Sequence, residues 1–434
     1  MMEPAALYPY FLKYPLISTD TRHIQPDSLF FALKGSNFNG NQFASEALEK
    51  GARYAVIDER QYRRDDRFLL VDDVLIALQE LARFHRMQLQ IPFIGITGSN
   101  GKTTTKELVH AVLSKQFITY ATKGNLNNHI GVPLTILAIS HQTEIAVIEM
   151  GANHPGEIAL LCDIAHPTHG LITNVGKAHL AGFGGFEGVK KTKGELYDYL
   201  AAHQGTLFLQ NDNPLLNEMA GARNIQHIVN YGFSATNDLI GELAHASPML
   251  ELRWREQGDA TPRTVRTQLT GAYNTENILA AICIGRHFGI TPGNINQAIA
   301  DYTPANNRSQ LTQTKHNTVI CDYYNANASS MAAALDNLRF LEASHKVVIL
   351  GDMFEMGDES YEEHGKVVQQ AAALGAVRTI FVGEAFMQHR HPHAEFYETT
   401  EAARDALRHQ PVRGALVLLK ASRGMAFERL VDDL

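Results

Sequence analysis

Cysteine is scarce in this chain. Cys162, Cys283 and Cys321 are the only three in 434 residues, and they lie far apart in apolar surroundings. No two have the spacing of a metal-binding or redox pair, so a disulfide framework or thiolate metal site is excluded and buried thiols in a reducing cytosol are expected. Charge of one sign is missing too. The formal net charge is −8, with acidic and basic residues interspersed. No bulk attraction to nucleic acid or anionic lipid follows, although a local basic pocket stays open. No uninterrupted apolar run approaches membrane-spanning length, which argues against membrane insertion. The stretch Met1 to Ser18 lacks a basic start and is interrupted by Pro4, Pro9 and Pro15. That pattern is unlike a signal peptide and predicts a cytoplasmic protein. Internal repeats and low-complexity tracts are absent.

What is present is an ordinary globular balance, 45% apolar and 19% charged, in a chain long enough for two or three domains. From about residue 18 to 90 the pattern predicts short strands at Leu29–Leu33, Ala55–Asp58 and Phe68–Val71. Helices are predicted at Gln42–Lys50 and at Val74–Gln88, the second stopped by Ile91-Pro92. From about 93 to 308 strands are expected at Phe93–Thr97, Glu144–Glu149, Gly170–Asn174 and Thr206–Asn211, with helices between them. Ile225–Thr270 reads as mostly antiparallel strands. The last segment repeats the spacing at Thr318–Asp322, Lys346–Gly351, Thr379–Gly383 and Ala415–Ala421. Strands alternating with helices predict an α/β fold with parallel sheets, whose ligands sit beyond strand C-terminal ends. A polar turn around Thr303-Pro304-Ala305-Asn306-Asn307 marks a boundary. The division expected is therefore 1–91, 92–308 and 309–434.

The densest chemical signal is Phe93-Ile-Gly-Ile-Thr-Gly-Ser-Asn-Gly-Lys-Thr-Thr-Thr105. An apolar strand feeds a turn of small residues, and a helical pattern begins at Lys102. Glycines let backbone N–H groups approach phosphate oxygens, and the helix N-terminus adds positive dipole. Lys102 is placed to neutralise terminal phosphates, and the Thr103 hydroxyl to hold Mg²⁺. A tight turn alone would explain Gly98 and Gly101, but not Gly-Lys-Thr-Thr at a helix start. The common G-x-x-x-x-G-K-[ST] pattern would put its first glycine where Ile96 stands.

Three later segments carry further candidates. Gly124-Asn125-Leu126-Asn127-Asn128-His129-Ile130-Gly131 suits a polar loop touching phosphates, or equally a helix cap followed by a turn. Glu149, at the tip of its strand, is the expected Mg²⁺ partner because a hard cation takes oxygen ligands. His179 follows the next strand, and either a metal ligand or a structural hydrogen-bonder fits it. The run Lys190-Lys191-Thr192-Lys193-Gly194-Glu195 fits a site or a solvated helix face.

Taken in order, these motifs resemble the Mur ligase superfamily, ATP-dependent amide-forming enzymes that include folylpolyglutamate synthases. The resemblance runs through nearly the whole chain. It implies a small N-terminal α/β substrate domain, a central P-loop ATPase domain with a mainly parallel sheet, and a C-terminal Rossmann-like domain. It also implies that Gly98, Ser99, Asn100, Gly101, Lys102, Thr103 and Thr104 hold ATP phosphates. Thr103 and Glu149 would hold one Mg²⁺, and His179 would help hold a second metal. Lys193 matches the family's carbamylated lysine, whose CO₂ adduct turns a cation into a metal-binding carboxylate. Asn274 and Asn277 match asparagines near the adenine, although Tyr273 stands where the family usually has His. Arg308 matches an arginine reaching the nucleotide across the interdomain cleft, and Asp322 a carboxylate near the ribose. Ala328 stands where proline is typical. Gly351-Asp352-Met353-Phe354-Glu355-Met356-Gly357 and Lys420-Ala421-Ser422-Arg423-Gly424 match segments on the amino-substrate side, with Asn128, Asn325 and Asn327 as further substrate contacts. Thr19, Asp20, Thr21, Arg22, Lys34 and Asn39 match the segment gripping a UDP-sugar. Without the family, Ser18–Arg22 would read as a polar turn with a buried ion pair.

The activity implied is ATP-dependent addition of D-alanyl-D-alanine to UDP-N-acetylmuramoyl-tripeptide through an acyl phosphate, by a monomer. A superfamily member adding the third amino acid would share most motifs but usually carries Asp-Asn-Pro-Arg, which is absent here. A folylpolyglutamate synthase would lack the N-terminal segment. A nucleotide-dependent binding protein without chemistry is disfavoured by Lys102, Thr103, Glu149, His179 and Lys193 occurring together.

Overall fold

Phe93–Thr97 is buried along its whole length, so both of its faces must be covered, as in a sheet packed between helices. In the computed structural model, which describes residues 2–434, this strand lies inside a nine-stranded sheet. The order is Arg263–Arg266, Glu251–Glu256, Leu239–His245, His227–Gly232, Thr206–Gln210, His169–Ile172, Phe93–Thr97, Ile145–Glu149 and Thr119–Ala121. The chain leaves Phe93–Thr97 toward one edge and returns on its other side at His169–Ile172, with all these neighbours parallel. That reversal of strand order opens a crevice beyond the carboxyl ends of the two strands, where ligands bind in such sheets.

Ahead of it lies a four-stranded parallel sheet, Ile17–Ser18, Leu29–Phe31, Tyr54–Ile57 and Phe68–Leu70, with a small hairpin at Lys34–Gly35 and Phe38–Asn39. Helix Val74–Gln88 starts where Asp73 accepts a hydrogen bond from the Ile76 N–H at 2.8 Å. It docks on the central layer through Gln79 to the His129 carbonyl (3.0 Å) and Arg86 to the Ala165 and His166 carbonyls (2.8 and 2.9 Å). Beyond the central sheet follows a six-stranded one, ordered Gln310–Gln313, Thr318–Asp322, Leu416–Lys420, Lys346–Gly351, Arg378–Val382 and Glu395–Tyr397, with only the first pair antiparallel. One apolar cluster runs through all three layers, from Leu29 and Leu78 through Phe93 and Leu196 to Met353 and Leu418. All three cysteines are buried free thiols. Among the described residues no helix is long and apolar enough to cross a membrane.

Several expectations need correction. Ile225–Thr270 is mostly antiparallel, as expected, through the pairings among Leu239–His245, Glu251–Glu256 and Arg263–Arg266; its first strand departs, since His227–Gly232 follows the crossover helix Pro214–Gly221 and pairs parallel to Thr206–Gln210 and Leu239–His245. The strand expected at Gly170–Asn174 ends at Ile172, since Thr173 and Asn174 turn to bond a neighbouring loop. Gln42–Lys50 divides into a 3₁₀ turn, Gly40–Phe43, and a helix, Ala44–Glu49. The Asp20–Arg22 pair is exposed rather than buried, with 37% and 81% of the side chains accessible, because Asp20 caps a surface turn.

Candidate active site

The crevice is a cleft of about 570 Å³ between the central and C-terminal layers. Its floor is the loop after Phe93–Thr97. Gly98 has φ +140°, and a Cβ there would stand 2.0 Å from Thr173 Oγ1; Gly101 has φ +80°, with Asn277 Oδ1 at 2.7 Å from such a Cβ. Both positions need glycine for conformation and for space. The loop is clamped from the neighbouring strand tip. Thr173 Oγ1 donates to the Asn100 carbonyl (2.6 Å), the Asn100 N–H to Asn174 Oδ1 (3.0 Å), and Ser99 Oγ to the Gly176 carbonyl (3.0 Å). Helix Lys102–Leu113 then begins, presenting its free N–H groups. The Lys102 ammonium folds back to donate to the Gly98 and Ser99 carbonyls at 2.8 and 3.2 Å. Desolvation pulls its pKa down to about 8, Glu149 opposing the shift and Arg308 adding to it. Ser99, Asn100, Gly101, Lys102 and Thr104 line the cleft, whereas Gly98 and the buried Thr103 lie just behind its wall.

Glu149 closes one side. Its Oε1 accepts from Asn127 Nδ2 at 2.8 Å, and its Oε2 is buried with no hydrogen-bond partner among the described residues. An ionised oxygen left in that state is costly unless a cation completes it. Beside it, His179 donates from Nδ1 to Glu355 of the C-terminal layer, which fixes the ring and frees Nε2. Burial lowers the His179 pKa, Glu355 opposing and the charges of Lys102 and Lys193 reinforcing the shift. Lys193 is 2% exposed, with Nζ 5.5 Å from the centre of the Phe183 ring and no carboxylate paired with it among the described residues. Desolvation, then Lys102, brings its pKa down to about 7. Lys193 does not line the cleft but is close enough to feel the charge of Lys102 and to act on His179.

On the far side Asn274 and Asn277 line the cleft and are locked together, Asn277 Nδ2 donating to Asn274 Oδ1 at 2.9 Å. Asn277 Oδ1 also accepts from Thr105 of the phosphate-loop helix at 3.0 Å. Arg308 lies 3.9 Å over the Tyr324 ring. Asp322 accepts from the buried Lys420 ammonium at 2.7 Å. Asn128, Asn325 and Asn327 also face the cleft. Asn128 serves as a cap, accepting from the Ile130 and Gly131 N–H groups. Asn327 caps helix Ala328–Phe340 and donates across the domain boundary to Asn100 Oδ1 at 2.8 Å.

The N-terminal candidates are not part of this cleft. Thr19, Asp20, Thr21 and Arg22 lie around the turn Thr21–His23, while Lys34 pairs with Asp58 and Glu59 at 2.9 and 3.0 Å. Asn39 donates to Glu59 at 2.8 Å.

Sequence reasoning missed the clamp residues Thr173 and Asn174, the Asn127 bond to Glu149, and Lys177. Lys177 reaches from the strand tip to Glu359 and Glu363 of the C-terminal layer at 2.7 and 2.9 Å. Its place two residues before His179, in Thr173-Asn174-Val175-Gly176-Lys177-Ala178-His179, was the one available signal.

A phosphate loop, an acidic strand tip and an interdomain wall of asparagines, Arg308 and Asp322 define an ATP-dependent ligase architecture. Three family descriptions match in order: "Mur ligase family, catalytic domain" over residues 13–86, "Mur ligase middle domain" over 96–285 and "Mur ligase, glutamate ligase domain" over 307–423. The chain belongs to the Mur ligase family. It is 35% identical to the UDP-N-acetylmuramoyl-tripeptide–D-alanyl-D-alanine ligase of Bacillus subtilis (strain 168), over 96% of this chain and 92% of that protein. Among solved structures it is similar to MurF from Acinetobacter baumannii, with TM-score 0.85 and 30% identity over 96% of this chain and 92% of that one. It is also similar to the MurF ligase of Thermotoga maritima in complex with ADP, with TM-score 0.86 and 26% identity over 97% and 98%.

Proposed function

We propose that this chain joins D-alanyl-D-alanine to UDP-N-acetylmuramoyl-tripeptide, converting ATP to ADP and phosphate. The observation that carries the reading is the convergence of the Ser99–Lys102 loop, Glu149 and His179 on one cleft, with Lys193 close enough for its charge to be felt by His179, in a chain that matches relatives named for that activity over nearly its whole length. A carboxylate is a poor electrophile, so ATP must first phosphorylate it to an acyl phosphate. Lys102, the loop N–H groups and Arg308 position and neutralise the transferred phosphoryl group. The amine of the dipeptide then attacks, phosphate leaves and the amide forms, with the same cations stabilising the oxyanion. The C-terminal layer, bonded across the cleft through Asn327, Glu355 and Lys177, keeps water from the acyl phosphate.

The residues present fit Mg²⁺. Among the described residues no three His, Cys, Asp or Glu side chains form a cage. Mg²⁺ does not need one, since one or two carboxylates plus substrate phosphates suffice. Glu149 Oε2 and the Thr103 hydroxyl would hold one ion, and His179 Nε2 with a carbamylated Lys193 a second. A metal there would supply charge neutralisation for the phosphates. Lys193 suits carbamylation because burial leaves much of its amine neutral near pH 7.

We assign the three units to 1–91, 92–308 and 309–434, with Thr19 to Arg22, Lys34 and Asn39 on the UDP-sugar side. A monomer working in the cytoplasm is proposed, as the resemblance to the family implies. Absence of an Asp-Asn-Pro-Arg segment disfavours addition of the third amino acid instead. The test is phosphate release with candidate acceptor and donor pairs. Release only with UDP-N-acetylmuramoyl-tripeptide and D-alanyl-D-alanine is expected; release with a glutamylated folate or a UDP-N-acetylmuramoyl-dipeptide would reject the reading.

A further inference from the structure

Arg308 lies in the turn between helix Pro292–Asp301 and strand Gln310–Gln313, and both of its neighbours, Asn307 and Ser309, have positive φ (55° and 50°). Side-chain-bearing residues rarely adopt that conformation, so surrounding contacts must impose it. Those contacts are present at the end of the turn. The Asn307 N–H donates to Gln310 Oε1 (3.2 Å), the Ser309 N–H to Asp322 Oδ1 (3.2 Å), and the Ser309 hydroxyl shares a hydrogen bond with Tyr273 (2.6 Å). The result holds the Arg308 guanidinium over Tyr324 at the cleft wall, with Nε buried and without a hydrogen-bond partner among the described residues.

The beginning of the same turn is held from a different place. Tyr302 donates its hydroxyl proton to Glu107 Oε2, and Asn306 Nδ2 donates to the same oxygen at 3.0 Å. The other oxygen of Glu107 is 3.9 Å from the Lys106 ammonium. Glu107 itself does not line the cleft. It belongs to helix Lys102–Leu113, whose first residue is the phosphate-loop lysine. One carboxylate thus ties the interdomain turn to the helix that carries Lys102.

We propose that Glu107 is a positioning residue, which by holding Tyr302 and Asn306 aims Arg308 so that Lys102 and Arg308 close on the same nucleotide anion. The inference rests on the reading that Arg308 meets the nucleotide. Arg308 and Lys102 line the same cleft.

The test compares Glu107→Ala, Glu107→Gln, Tyr302→Phe, Arg308→Ala and the Glu107→Ala/Arg308→Ala double variant of the full chain. ATP KM, dipeptide KM and kcat are read from phosphate release, and thermal melts are recorded for each protein. Glu107→Ala is expected to raise the ATP KM about five- to thirtyfold, the size of two lost hydrogen bonds, with dipeptide KM nearly unchanged and kcat lowered no further than in Arg308→Ala. Glu107→Gln keeps an oxygen for both donors and should restore the ATP KM. Tyr302→Phe should give a smaller rise in the same direction. The double variant should be no worse than Arg308→Ala alone, because both changes act through one guanidinium. Additive effects in the double variant, or a rise in every KM together, would overturn the proposal. So would an unchanged ATP KM in both Glu107→Ala and Tyr302→Phe while Arg308→Ala weakens ATP, which spares the assignment of Arg308. If Arg308→Ala itself leaves ATP KM unaltered, that assignment falls, and the proposal with it.

Discussion

Lys102 and Lys193 are two buried-side lysines with opposite consequences for stability and turnover. Lys102 bonds only to carbonyls of its own loop, which water can satisfy in its absence. Lys102→Ala is therefore expected to lower turnover by about 100- to 1,000-fold while moving the melting temperature by less than about 2 °C. A large loss of thermal stability in the unliganded variant would contradict a phosphate-facing role. Lys193 has no ion partner among the described residues and a pKa brought down to about 7 by desolvation. In the unfolded chain its pKa is about 10.4. Between these values the unfolded state binds the proton and the folded state does not, so stability rises with pH across that window. Below pH 7 the burial penalty is felt in full. In bicarbonate-free buffer, Lys193→Met should melt higher than the parent at about pH 6, with the gain vanishing near about pH 10. Ligase turnover should nevertheless be lost, by about 100-fold or more. A variant that melts lower at pH 6, or that still turns over, would remove Lys193 from the site. Neither its burial nor its lack of a partner was legible in Lys190–Glu195, because an amphipathic helix face and a reactive lysine share that composition.

At the scale of elements, legibility tracked how local the cause was. Phe93–Thr97, the helix start at Lys102 and helix Val74–Gln88 were read to the residue. Their ends are set by Gly98, by Gly101 and by Ile91-Pro92, all nearby in sequence. The strand ending at Ile172 was overextended because Thr173 and Asn174 are diverted by a loop more than seventy residues earlier. The short edge strands Thr119–Ala121, Gln310–Gln313 and Glu395–Tyr397 carry too few residues to show periodicity. Ala328 illustrates a departure that the structure explains. It is the first residue of helix Ala328–Phe340, preceded by Asn327 in an extended conformation (φ −147°, ψ 169°). A proline fits that position, since its fixed φ suits the first helical residue and the preceding backbone is already extended. Ala328→Pro should therefore stabilise the protein by about 0.4–1 kcal/mol, measured by denaturant unfolding, with activity retained. Destabilisation would mean that the Ala328 N–H is needed.

For the whole molecule the decisive contacts lie between layers, and they were the least legible. Lys177 meets Glu359 and Glu363 from 182 and 186 residues away, and no local pattern announces such a partner. The fold class needed only alternation of strands and helices, whereas the joining of the layers needed the three-dimensional arrangement. Adding ATP and the UDP-peptide is expected to compact the protein in small-angle scattering. Lys177→Ala removes one interlayer tie, and an ion pair of this partly exposed kind contributes about 0.2–1 kcal/mol. At the upper end that shifts the closed population about fivefold, so the variant should need more nucleotide for the same compaction. Identical scattering curves with and without ligands would show that closure is not part of the cycle.

The distance in the chain's architecture between the Lys34–Asn39 hairpin and the cleft has a last consequence. With the sugar end of the substrate gripped at that hairpin, as proposed, the protein works as a caliper. On that reading a stem one residue too short would leave its carboxyl group out of reach, and one too long would overshoot, so span would contribute to the order in which residues are appended to the stem.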